Sequence, residues 1–188
     1  MNVAARARIA KRRAFTLVEL LVVVTIVGIL GAIGTVLFRK YIFSSKTVEA
    51  VSVIQAIRGA QERYRAETQV YFDVSSVDGS PQVTWYPNQT PGKTASHWKQ
   101  DTHPHYGNWQ RLGVTYPNNV QFGYLVNAGL AGQNHTVPQT QANPGWPNPA
   151  TEPWYVIQAQ ANADGDSTFA YFVASSYNTE IYSEDEGE

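Results

Sequence analysis

Apolar positions run almost without a break from Phe15 to Phe38, and Glu19 is the one charged residue among them. At a rise of 1.5 Å per residue, a helix over this stretch is roughly 36 Å long, enough for a hydrocarbon core of about 30 Å. From Ser44 to about Thr68 the pattern turns from continuous to periodic. Ala50, Val53, Ile54, Ile57, Ala60, Gln61 and Tyr64 fall on one stripe at helical spacing. No proline interrupts residues 15–80. The spacing therefore predicts one helix from Phe15 to about Thr68, apolar all round in its first half and amphipathic in its second. Two helices broken near Ser44-Ser45 are the alternative.

The rest of the chain reads differently. Residues 69–119 mix proline, glycine and asparagine with Trp85, Tyr86, Trp98, Tyr106, Trp109 and Tyr116. This composition predicts a long irregular loop held by its own aromatic side chains and packed on the helix. A glycan-binding surface built from the same rings is the rival reading. Val120, Phe122, Tyr124 and Val126 then alternate with a period of two, residues 154–160 are rich in strand formers, and Phe169, Tyr171 and Val173 alternate again. The proline-rich excursion 129–153 between the first two strands is expected as a surface loop. The fold class expected is α+β: a long N-terminal helical spine 15–68, membrane-spanning over 15–38, packed on a small antiparallel β-sheet head. The head covers 69–188, with its sheet within 120–183.

Charge adds an orientation. Residues 1–14 hold five Lys or Arg and no acid, whereas the remainder carries nine basic and fifteen acidic residues. A basic leader keeps the N-terminus cytoplasmic, against weak opposition from Arg39, Lys40 and Lys46. The acidic remainder offers no basic stripe, so no nucleic-acid partner is indicated. With no cysteine, an exported head has no disulfide to staple it. Asn88-Gln89-Thr90 and Asn134-His135-Thr136 match a glycosylation acceptor pattern that carries no meaning in a bacterium.

Glu19 is the feature that needs a reason. An ionised carboxylate deep in a bilayer costs about 2.5–3.5 kcal/mol, and no basic residue lies between Phe15 and Phe38 to offset it. A free amine on Phe15 would serve if the chain were cut after Ala14. A secretory signal has a shorter apolar core with its cut behind it, and a plain uncleaved anchor has no use for the charge. Basic leader, small Ala14, then Phe15-Thr16-Leu17-Val18-Glu19 and an apolar run closely resemble the class III signal of type IV pilins and type II secretion pseudopilins. That family usually has glycine where this chain has Ala14, and many of its major pilins have a kinking proline where this chain has Val36.

The resemblance implies a pilin-like fold and a set of roles. A prepilin peptidase would cut between Ala14 and Phe15 and N-methylate Phe15, and Glu19 would act in assembly. The partners implied are copies of the chain and other pilins, the inner-membrane assembly machinery, and the membrane before assembly. The product would be a type IV pilus-like filament at the cell surface; a periplasm-spanning secretion pseudopilus, or a membrane-anchored exported binding domain, is the alternative.

Enzymatic chemistry is not indicated. There is no cysteine nucleophile, no Gly-x-Ser-x-Gly, no phosphate-binding glycine loop and no His-Glu-x-x-His. His97, Asp101, His103 and His105 fit no standard zinc spacing. No cofactor is required. Asn162, Asp164 and Asp166 around Gly165 place oxygen ligands at alternate positions and are candidate calcium ligands, and related pseudopilins hold calcium in a loop of this region. Asp164-Gly165 is equally a hairpin turn signal between two expected strands. The acidic residues of the tail, Glu180, Glu184, Asp185, Glu186 and Glu188, are expected to be solvated.

Overall fold

The computed structural model describes residues 15–77, 80–81, 84–135, 144–162, 165 and 168–185. The expected leader 1–14 lies outside the described residues, as do Asp164 and Asp166. The chain divides into two compact units, one ending at Arg39 and the other beginning at Lys40. Helix α1, Leu17–Thr68, contributes to both and does not break at Ser44-Ser45. In the first unit none of the stretch Leu17–Thr35 is buried, and it is long and apolar enough to cross a membrane.

In the second unit the helical stripe turns inward. Short pieces follow α1: strand β1 (Ser76–Val77) paired with β2 (Ser80–Pro81), β3 (Ser96–His97), helix α2 (Tyr106–Leu112), and β4 (Asn119–Val120) paired with β3. The main sheet is an antiparallel meander of β5 (Gly123–Gly129), β6 (Trp154–Ala161), β7 (Ala170–Ser175) and β8 (Ile181–Glu184). Its register lines up Tyr124, Ala159 and Phe172 in one row, and Val126, Ile157 and Ala174 in the next. These rows share one core with Ala50, Val53, Ile54, Ile57 and Ala60 of α1. Each fully buried Val or Ile there contributes about 1.5–3 kcal/mol.

Polar side chains lock the helix to the head. The Arg58 guanidinium donates to the backbone carbonyls of Asn178, Thr179 and Glu180 at 3.3, 2.7 and 2.7 Å. Glu49 accepts from the backbone N–H of Gln121 at 2.7 Å. On the outer side of β5, Tyr86 and Tyr124 exchange two backbone hydrogen bonds, and the N–H groups of Val74 and Ser75 donate to the Val126 carbonyl. The β5 edge of the sheet is thus covered rather than left as a template for pairing.

Two expectations need correction. The excursion 129–153 is not wholly a surface loop, because Ala150 is buried and Trp146 packs over Trp154, Val156 and Val173 on the sheet face away from the helix. With both faces covered, all eight residues of β6 are buried, so a period of two is not visible there. The stretch 69–119 is not irregular throughout: it contains α2, which ends at Gly113 in the left-handed region (φ +74°), whose N–H donates to the carbonyls of Trp109 and Gln110. The sheet reaches into the tail as expected: Ile181–Glu184 pairs with β7 as the fourth strand, while Glu180 and Asp185 are exposed.

Candidate functional site

At the start of α1, sequence and geometry meet in a helix cap. Glu19 N–H donates to Thr16 Oγ1 at 3.2 Å, and Thr16 N–H reaches back to Glu19 Oε2 at 3.5 Å. Thr16-Leu17-Val18-Glu19 is a capping box, in which a threonine before the first turn and a glutamate three residues later satisfy each other's backbone donors. Such donors are expensive to leave unpaired in lipid. Glu19 therefore has a local structural task in addition to any role in assembly. The Thr-x-x-Glu spacing before an apolar run was the signal for it. Phe15 lies beside this cap and is 71% exposed, and Ala14 is outside the described residues.

Farther along the apolar helix, the hydroxyls of Thr25 and Thr35 donate to the carbonyls of Leu21 and Gly31, each at 2.8 Å. Polar groups on this surface are thus satisfied within the helix itself. Gly28, Gly31 and Gly34 have open space where a Cβ would stand. Among the described residues nothing crowds these positions, and small residues of this kind allow another helix to approach closely.

The candidate residues of the head fall into separate places. His103 is buried beside Tyr86, their rings perpendicular with centroids 5.0 Å apart. Its Nδ1 accepts from the His105 N–H at 3.1 Å, so Nε2 carries the proton and donates to the Trp85 carbonyl at 2.9 Å. Burial lowers the pKa of both His103 and His105. Both nitrogens of His103 are spent on the fold, and no group of three potential metal ligands forms among the described residues. Asn162 Oδ1 accepts from Gly165 N–H at 2.6 Å, closing the β6–β7 turn, while the other calcium candidates, Asp164 and Asp166, cannot be placed beside it. Lys93 comes close to this turn: its Nζ lies 3.0 Å from where a Cβ on Gly165 would stand.

The aromatic residues of 69–119 are mainly structural. Tyr86, Trp98 and Trp109 are buried, their ring centroids 5.1–5.4 Å apart. Together with Tyr106, Val114 and Tyr116 they wall an open cleft of about 180 Å³.

Comparison with known proteins bears on the N-terminal segment. Residues 9–35 match the family model described as the prokaryotic N-terminal methylation motif. The type IV major pilin protein PilA of Myxococcus xanthus (strain DK1622) is 39% identical over 69 residues, which cover 37% of this chain and 31% of that protein. No solved structure matches the chain. The motif lies on the unburied apolar helix with its Thr16–Glu19 cap, ahead of a head with an antiparallel sheet. Over this N-terminal segment the chain carries the prokaryotic N-terminal methylation motif and is similar to a type IV major pilin.

Proposed function

We propose that the chain is the structural subunit of a type IV pilus-like filament, assembled by packing its apolar N-terminal helices after a prepilin peptidase cuts between Ala14 and Phe15. The observation that carries this reading is the unburied, apolar Leu17–Thr35 helix that bears Glu19 at its capped start. Such a surface is stable only in lipid or against other apolar helices. Before assembly it holds the precursor in the inner membrane. In the filament it packs on copies of itself and on other pilins, and the small pairs Gly28/Ala32 and Gly31/Thr35 admit close approach.

Cutting hydrolyses the Ala14–Phe15 amide with one water, leaving a carboxylate on Ala14 and an amine on Phe15. The neutral amine takes a methyl group from a sulfonium methyl donor bound by the same peptidase, losing a proton, and the methylated amine is again protonated at neutral pH. When helices stack with a stagger, the Glu19 carboxylate of one subunit meets the Phe15 amine of a neighbour. In a low dielectric an unpaired charge is costly, so the pair favours one register over others. The filament would stand at the cell surface after extrusion by inner-membrane machinery. Intact-mass measurement of the mature subunit, with electron microscopy of sheared filaments, tests the reading: the mass should begin at methylated Phe15 in a filament-forming protein. A mature protein retaining residues 1–14 would overturn it. A type II secretion pseudopilus is the second reading, and filaments confined to the periplasm would favour it.

A further inference from the structure

Packing of the apolar helices leaves the aromatic cleft of the head unused, and the rim of that cleft differs from its floor. Trp98 and Trp109 are buried, their rings crossing at 79° with centroids 5.4 Å apart, so the floor is set by the fold. Tyr106 and Tyr116 are only partly buried and form walls. Around them stand four exposed polar side chains: His97 and Lys99 in and just after β3, Gln110 in α2 and Thr115 just after it.

These polar groups are only partly committed to the fold. Gln110 Nε2 donates to the Tyr106 hydroxyl at 2.9 Å. Having accepted, the hydroxyl keeps its own proton to donate, and Gln110 Oε1 has no partner among the described residues. A donor and an acceptor thus stand side by side. His97 Nδ1 accepts from the Lys99 N–H at 3.3 Å, so in the neutral ring Nε2 carries the proton and is a further donor. Lys99 Nζ and Thr115 Oγ1 also have no partner among the described residues. No Asp or Glu is among the residues lining the cleft, which leaves Lys99 as its one fixed charge.

This lining selects a ligand chemistry. A wholly apolar group would strip water from Lys99 and Gln110 and put nothing in its place. A small free anion would leave the tyrosine walls bare. A sugar ring matches both surfaces: the C–H groups of its faces pack on the negative faces of aromatic rings, and the hydroxyls at its edge both donate and accept. The cleft holds about 180 Å³, and an apolar cavity of about 150 Å³ already takes a six-membered ring. A carboxylate on that ring would answer Lys99 with a charge-assisted hydrogen bond.

We propose that the cleft binds one ring of an acidic polysaccharide, with its C–H face on the tyrosine walls, its hydroxyls at Tyr106 and Gln110 and its carboxylate at Lys99. This goes beyond polymerisation and does not depend on it. An open site with few bonds is weak singly, but in a filament it recurs at every subunit, and one polysaccharide strand engages several at once.

The full-length chain in amine-oxide micelles, which carry no sugar headgroup, serves the test. Trigalacturonate is titrated against maltotriose while following tryptophan emission, since Trp98 and Trp109 line the cleft. Trigalacturonate should bind saturably and more weakly as salt is raised, and maltotriose should bind about two- to fivefold less tightly. Lys99→Met should abolish that difference, and Gln110→Ala should weaken both sugars about threefold or more. Both positions are exposed, so the melting temperature should hold in each variant. No saturable change, equal binding of the two sugars by the wild type, or wild-type affinities in either variant would overturn the site. A peptide of three glutamates binding as tightly as trigalacturonate would reduce the cleft to a lone cation and overturn it as well. None of these outcomes bears on the filament reading, which the mature mass and the sheared filaments decide separately.

Discussion

Gln61 and Phe72 exchange two hydrogen bonds: Gln61 Nε2 donates to the Phe72 carbonyl at 2.8 Å, and Phe72 N–H donates to Gln61 Oε1 at 2.9 Å. A fully buried side-chain amide thus copies the pairing of a neighbouring strand and fixes where the chain goes after α1 ends. Leaving a buried backbone donor or acceptor unpaired costs about 1–3 kcal/mol. Gln61→Ala should therefore destabilise the head by roughly 2–4 kcal/mol, read as a lower urea midpoint with an unchanged slope. A shift near zero would mean that water replaces the amide without loss.

The shared core predicts how the chain can be cut. A fragment beginning near Ser44 keeps Ala50, Val53, Ile54, Ile57 and Ala60 over the sheet and should be a soluble, folded monomer. One beginning near Gln69 uncovers that face and should aggregate. Equal solubility of the two in size-exclusion chromatography would show that the sheet does not depend on the helix.

The buried histidines predict loss of stability in acid. His103 and His105 have folded-state pKa values below the ordinary 6.5, with burial the main cause. The unfolded chain takes up their protons first, so their contribution is complete above pH 6.5 and is lost as pH falls toward the lowered values. Glu49 and Asp73 act in the opposite sense. Burial raises their pKa values above 4.5 and 3.8, so their contribution is complete below those values and fades as pH rises through the raised ones. Melting curves of wild type and of His103→Gln with His105→Gln between pH 5 and 7.5 isolate the histidine part. The double variant should lose less stability across that interval. Parallel curves would exclude the histidines as its source.

Because Glu19 both caps α1 and carries a charge, two substitutions separate its tasks. Glutamine serves in a capping box but cannot pair with an amine as an anion; alanine does neither. Both variants should insert and be cut, since removing a charge eases insertion. Both should fall sharply in sheared filaments if charge pairing sets the register. Normal assembly of Glu19→Gln together with failure of Glu19→Ala would assign the requirement to the cap instead.

The β6–β7 turn predicts a competition. Lys93 places its own cation beside Gly165, where calcium held by Asn162, Asp164 and Asp166 would also concentrate positive charge. If these residues ligate calcium, a hundredfold excess over its Kd should stabilise the head by about 2.7 kcal/mol, and Lys93→Met should lower the calcium concentration needed. A melting temperature indifferent to calcium and chelator in both proteins would remove calcium from the account.

What could be read from the chain without coordinates was what repeats locally. The charge-poor run from Phe15, the stripe from Ala50 to Tyr64 and the alternation at Val120–Val126 each declare themselves within a few turns or residues. Long-range features stayed hidden. Arg58 sits on the helix like any solvated arginine until residues 178–180 are brought to it. Trp146 lies in a proline-rich stretch that looks like surface, and only the second sheet face explains it. Helix α2 is too short for periodicity, although Trp109, Leu112 and Gly113 hold its buried side and its stop. The Thr16–Glu19 cap was legible in the Thr-x-x-Glu spacing, although the same glutamate also stands out as the one charge in an apolar run.

The Arg58 clamp and the Gln61–Phe72 exchange join α1 to two distant parts of the head less than one turn apart on the helix. A tug along the axis of α1 would load these bonds side by side, together with the apolar stripe between helix and sheet, rather than peel them one after another. Joints loaded in shear give way at higher force than joints that unzip, so these bonds fasten the head to its helix in a way that resists a pull along that helix.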